Sequence, residues 1–211
     1  MQAQEVLDRM VQRYAGLQSY SDVGHVTLTH PNFVTRTPFT TFYKAPSLFR
    51  FDFNVPHPHP PLSHIVSQHA VGFDGTNAYA LRKAFKGKVE SQLLNSIGLA
   101  VAGASGISSG AALTIGRLLL KGTEGLSISE LSSVQLSADT AIDDVSCYSM
   151  TARYPSFGGK YHLLIEKHTS LLRKLLSEHE TTRFEEIRCQ IRINAPIEDA
   201  VFTAELKELS V

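Results

Sequence analysis

The sequence predicts an α+β fold: an antiparallel meander curled into a half-open β-barrel, with an N-terminal helix and a central helical insert packed against the concave face. Three observations carry this. Strand signals come in two runs of about five, not in alternation with helices, which excludes a wound parallel sheet. An uncharged stretch, residues 91–116, separates the runs in a chain with 19% charged residues. A meander of that many twisted strands tends to curl toward a barrel.

The elements follow in order. Over residues 3–18, Val6, Leu7, Met10, Val11, Tyr14 and Leu17 recur at helical spacing, with Glu5, Asp8, Arg9 and Arg13 between them; Gly16 ends the helix. Strands are expected at Ser19–His30 and Pro38–Lys44, then a turn at Ala45-Pro46-Ser47, since a residue before proline avoids the helical region. Leu48–Val55 alternates: Phe49, Phe51, Phe53 and Val55 share one face, and Arg50, Asp52 and Asn54 the other, which predicts one dry and one wet face. Residues 56–64, PHPHPPLSH, contain four prolines and form an exposed extended loop. A strand at Ile65–Phe73 meets another at Ala78–Lys83 through Asp74-Gly75, a hairpin signal. A short basic segment, 84–88, precedes the uncharged stretch, and a glycine loop over 121–125 follows it. The second run is expected at Val134–Ala138, Cys147–Tyr154, Tyr161–Glu166, Ser170–Ser177 and Thr182–Asn194, with turns at Asp143-Asp144, 155–159 and 167–169 and a short strand near Val201–Phe202. Plain alternation puts Ile187, Cys189, Ile191 and Ile193 on one face of the last long strand.

At 211 residues and 43% apolar content, the chain buries a real core as one domain, residues 1–211. Lys plus Arg equals Asp plus Glu at 20 each, with no basic block, so neither nucleic acid nor an anionic membrane surface is an expected partner. Cys147 and Cys189 lack metal-ligand spacing, so no zinc site is expected; they form either one disulfide or two buried thiols, free cysteine behaving as a small hydrophobe. His57, His59, His64 and His69 cluster in and after the proline loop, but no carboxylate or cysteine joins them, so no metal is expected there; nor is any cofactor. The opening MQAQEVLDRM has no basic segment followed by an apolar run, the pattern of a secretory leader.

Four readings compete for residues 91–116. A membrane span is long enough, but Gly98, Gly103, Gly106, Gly110 and Ser96, Ser105, Ser108, Ser109 make its centre too polar, and no transmembrane span is expected. Gly103-Ala104-Ser105-Gly106 followed by Gly110 resembles a dinucleotide loop, but its spacing departs from GxGxxG and strands, not βα units, follow. Residues 106–110 match GxSxG, which would make Ser108 a nucleophile with Asp143 or Asp144 and His162, His168 or His179 in the order a hydrolase requires; the required parallel strand–turn–helix is missing upstream. The fourth reading is a buried helical pair over 90–102 and 109–120, broken by a Gly/Ser turn with Ser105 or Ser108 as N-cap.

The order of signals resembles the periplasmic lipoprotein-carrier (LolA/LolB-like) superfamily. Tyr20-Ser21-Asp22-Val23-Gly24 after the first helix, residues 42–51 around Pro46, Phe73-Asp74-Gly75-Thr76 with Tyr79, residues 164–173, and Asn194-Ala195-Pro196-Ile197 through Phe202-Thr203 each match a stretch of that family. Two positions depart from it. Ala45 stands where the carriers place an arginine before the proline to latch the helical lid, and Leu164 stands where a tryptophan is usual. The resemblance implies an incomplete barrel plugged by helices (a lid over about 89–120) in a periplasmic or envelope protein whose leader has been removed. It also implies a part in outer-membrane biogenesis, with a lipid or acylated protein, or an envelope protein, as partner. The expected function is that of a non-enzymatic carrier. Phe49, Phe51, Phe53, Leu163, Ile165, Ile187, Ile191 and Ile193 would line its cavity, and Leu94, Ile97, Val101 and Leu113 would form the lid.

Overall fold

The computed structural model describes residues 2–57, 59–84, 87–121, 128–154 and 159–206. Residues 155–158 of the expected proline turn, 122–125 of the glycine loop, 85–86 of the basic segment and the end of the polar tail lie outside the described residues.

Helix α1 (Ala3–Ala15) begins with a capping box in which Gln2 and Glu5 satisfy each other's backbone amides, and it buries Val6, Leu7, Met10 and Tyr14. Strands β1 (Ser19–His30), β2 (Phe33–Lys44), β3 (Leu48–Pro56), β4 (Val66–Phe73), β5 (Ala78–Lys83) and β6 (Val89–Leu94) follow. Then come helices α2 (Ile97–Ser105) and α3 (Ala111–Leu119). Strands β7 (Ser132–Leu136), β8 (Thr140–Ile142), β9 (Val145–Arg153), β10 (Lys160–Glu166), β11 (Leu172–His179) and β12 (Thr182–Ile193) complete the sheet, and a 3-10 turn (Asp199–Phe202) follows. The proline turn after β2 carries a cis Ala45–Pro46 bond. The β8–β9 hairpin uses Asp143 and Asp144, both at positive φ, as the mirror-image turn that strand twist favours.

All twelve strands belong to one antiparallel sheet in the order β6-β5-β4-β3-β2-β1-β12-β11-β10-β9-β7, with β8 paired to β9. The first and last strands therefore meet in the middle of the sheet, and its two ends, β6 and β7, flank the helical insert in sequence. The sheet does not close on itself. The insert runs from one free edge to the other across the open side, so α2 and α3 pack against the concave face, with α1 against α3. No described helix is long and apolar enough to cross a membrane.

Four expectations are corrected here. Residues 90–94 are strand, not helix, and the first insert helix starts only after Ser96, whose hydroxyl accepts from the Leu99 amide. Short segments do not distinguish strand from helix by periodicity, and Val89–Leu94 is only six residues long. Second, Val201 and Phe202 lie in the 3-10 turn rather than a strand. Third, the face of β3 expected to be wet is covered for most of its length: of the three residues expected there, Arg50 and Asp52 are buried and only Asn54 is partly exposed. The carboxyl-terminal segment covers the convex side there. Arg50 donates to Asp52 through Nε (2.6 Å) and Nη2 (2.7 Å) and to the carbonyls of Thr203 and Glu205 (both 2.5 Å), and Tyr79 donates to the carbonyl of Phe202 (3.0 Å). Gly72 is required beneath this seam, because a Cβ there would stand 2.4 Å from the Tyr79 hydroxyl.

Fourth, β12 changes face at a bulge. Tyr20 pairs with Ile193 but Val23 with Cys189, and Gln190 takes φ 49° to absorb the extra residue. Glu186 and Arg188 therefore point into the concavity before the bulge, and Ile191 and Ile193 after it, while Ile187 lies opposite His25 on the convex side. Ile187 is thus not among residues facing the concave core, contrary to plain alternation.

Candidate functional site

The centre of the half-barrel is filled. Phe49, Phe51, Phe53, Leu163, Ile165 and Val101 belong to its buried core, with Leu94, Ile97, Leu113, Ile191 and Ile193 packed around it. Phe39, Phe51 and Phe53 form a run of ring contacts at 5.2 and 5.6 Å between centroids.

A buried ionic cluster ties this core to the insert. The Arg188 side chain is fully buried on β12 and donates to Glu186 (2.6 Å), to Asp22 on β1 (2.5 Å), to Thr41 on β2 (3.4 Å) and to the carbonyl of Ala111 at the start of α3 (3.2 Å). Its guanidinium also lies 4.8 Å from the centroid of the Phe39 ring. Tyr20 donates to Asp22 at 2.6 Å. Burial pushes the Glu186 carboxyl up, with Arg188 pulling the other way, and raises the Tyr14 phenol to about 12. One guanidinium thus holds three strands and a helix end. Among the described residues, Oδ1 of Asp22 has no hydrogen-bond partner.

Open space lies to one side of this core. A cleft of about 720 Å³ runs between α2 and the sheet end formed by β4, β5 and β6, within the usual range for a ligand pocket of about 300–1,000 Å³. Its sheet wall includes Phe53, Val71, Ala80 and Leu94; its helical wall is Leu99, Ala100, Gly103, Ala104 and Ile107. Most of its lining surface is apolar. Leu99 and Ile107 are about half exposed at its rim. Of the expected cavity residues, the structure brings Phe53 and Leu94 to this cleft and Leu113 to a smaller pocket of about 180 Å³ on the far side of α3, beside Glu186 and Phe184. The floor of the helical wall was legible in the sequence as a surface of small residues at helical spacing (100, 103, 104), which a reading of the stretch for apolar bulk passes over.

His69 sits in the wall, buried, stacked on Phe53 at 4.9 Å between ring centroids, with Nε2 2.9 Å from the Ser67 hydroxyl. Burial, reinforced by the Arg82 charge, holds its pKa below the ordinary 6.5. A depressed pKa means that the neutral ring is preferred in the folded state, so this stabilisation is present above about pH 6.5 and is lost as pH falls through the folded value. An NMR titration of the His69 ring is expected to give a midpoint below 6.5, and H69Q to flatten the acid side of the stability–pH curve. A midpoint at or above 6.5 would contradict the buried, neutral assignment.

The remaining motif residues do other work. Ser108 is fully buried in a helix–turn–helix, where its Oγ accepts from the Ala112 amide (3.2 Å) and donates to the Ser105 carbonyl (3.4 Å). No strand leads into it, so the nucleophile-elbow geometry is not formed. Of the three candidate histidines, His162 lies 2.8 Å from Ser149 on β9. Cys147 and Cys189 are free thiols. No cluster of metal-ligating side chains occurs among the described residues.

No protein-family model and no curated protein matches the sequence. Solved structures do. LprF from Mycobacterium bovis is 15% identical, with 93% of this chain and 94% of that chain covered and a TM-score of 0.56. The Mycobacterium tuberculosis lipoprotein LppX is 14% identical over 93% and 97%, with a TM-score of 0.54. A LolA superfamily protein from Nitrosomonas europaea is 10% identical over 96% and 98%, at a lower TM-score of 0.39. At these identities the likeness is one of fold, which this chain shares with LprF and LppX.

Proposed function

We propose that this chain is a non-enzymatic binding or carrier protein of the cell envelope that holds a lipid or acyl chain in the cleft between α2 and strands β4–β6. The observation that carries this reading is the cleft itself: ligand-sized, apolar, and walled on one side by small helix residues that leave room for a chain. The fold shared with LprF and LppX, the latter a lipoprotein, supports an envelope setting. Burying a methylene is worth about 0.8 kcal/mol, so ten supply about 8 kcal/mol. Association takes back at least about 4 kcal/mol, which leaves roughly millimolar affinity from the chain alone. Useful affinity thus needs a longer chain or contacts to a head group.

The packed centre of the half-barrel favours one other reading, an envelope interaction or sensor module that carries no ligand. Native mass spectrometry of the purified protein, with displacement of a fluorescent fatty acid, separates the two. Co-purifying lipid and saturable probe binding are expected; absence of both overturns the carrier reading.

A further inference from the structure

The strand register orders the cleft wall into transverse rows. Phe53 pairs with His69, His69 with Arg82, and Arg82 with Glu90, so these residues form one row across β3–β6 on a single face. The next row, two residues further along each strand, is Phe51, Val71, Ala80 and Gln92, and Leu94 begins a third beside Ala78. His69, Arg82, Glu90, Gln92, Val71, Ala80 and Leu94 all line the cleft. Polarity therefore falls steadily from one end of the wall to the other. Arg82 and Glu90 are direct cross-strand neighbours, yet among the described residues they make no ion pair with each other. The polar end thus presents one cation and one anion side by side, with no net charge, beside a ring that stays neutral.

On the carrier reading above, we propose that the ligand is a single-chain amphiphile with a zwitterionic head. Its anionic group meets Arg82, its cationic group meets Glu90, and its chain runs toward Leu94 beneath α2. A purely anionic head gains Arg82 but is repelled by Glu90; a purely cationic head meets the reverse. Only a head carrying both charges pairs with both residues and satisfies each without a like-charge contact. Because both residues are exposed, the discrimination is modest, roughly five- to tenfold.

The test holds the chain constant and varies the head. Dodecylphosphocholine, dodecanoate, dodecyltrimethylammonium and dodecyl maltoside, each below its micellar concentration, compete against a fluorescent fatty acid. Dodecylphosphocholine is expected to bind tightest, and R82Q/E90Q to abolish the ranking while retaining binding of all four. Equal binding of all four, or a preference for the maltoside, overturns the zwitterion assignment and leaves the carrier reading standing. A preference for one charged head that R82Q/E90Q does not change also overturns it. Binding of none overturns the carrier reading itself.

Discussion

Arg188→Met is expected to lower the unfolding free energy by about 3–5 kcal/mol, the usual consequence of removing one partner from a buried ion cluster. The guanidinium makes no contact with water, and its loss strands Asp22 and Glu186, both buried carboxylates, without a counter-charge. It also removes the donor to the Ala111 carbonyl, the contact through which β12 holds the start of α3. The loss therefore has a local signature, weaker hydrogen-exchange protection in α3, as well as a global one. The chain has no tryptophan, so urea unfolding is best followed by far-UV circular dichroism. A companion variant, D22N/E186Q/R188M, removes the stranded charges together with the guanidinium and is expected to regain a large part of the lost stability. If R188M costs under about 1 kcal/mol, the cluster does not hold the insert as described.

Much of the architecture was legible because its signals are local. The Asp74-Gly75 turn, the proline turn at Pro46, the Asp143-Asp144 hairpin and the apolar stripe of α1 are each fixed by residues a few positions apart. The half-barrel followed from counting strands around an uncharged insert. What escaped was non-local. Alternation shows that Arg50 and Asp52 share a face, but not that residues 203–205 return to cover it. It gives Ile187 the wrong side because one bulge at Gln190 reverses the face of everything beyond it. Arg188 reads as an outward arginine for the same reason: the strand's apolar residues after the bulge set the expected phase for those before it. The cleft escaped for a different cause. Its helical wall is defined by side chains that are small or missing, and a search for large apolar residues finds the packed core instead of the space beside it.

That space gives the most direct test of the carrier reading. Gly103 lies inside α2 and lines the cleft, and a Cβ placed there meets nothing within 4 Å. Glycine within a helix costs about 0.8–1.0 kcal/mol relative to alanine. Gly103→Ala should therefore raise stability by up to about 1 kcal/mol while adding only a methyl group to the wall. Gly103→Phe should leave the fold intact, because the ring enters open space rather than a packed contact, but it fills the volume an acyl chain would occupy. Displacement of a fluorescent fatty acid is expected to weaken at least about tenfold in the phenylalanine variant, equivalent to about 1.4 kcal/mol, and to stay near the parent value in the alanine variant. Circular dichroism and urea midpoints of both variants separate this effect from unfolding. Unchanged probe affinity in a folded Gly103→Phe protein would mean that the probe binds elsewhere, and the cleft would lose its claim to be the ligand site. Loss of binding in both variants would instead point to a requirement for helix flexibility, since the alanine leaves the volume almost untouched.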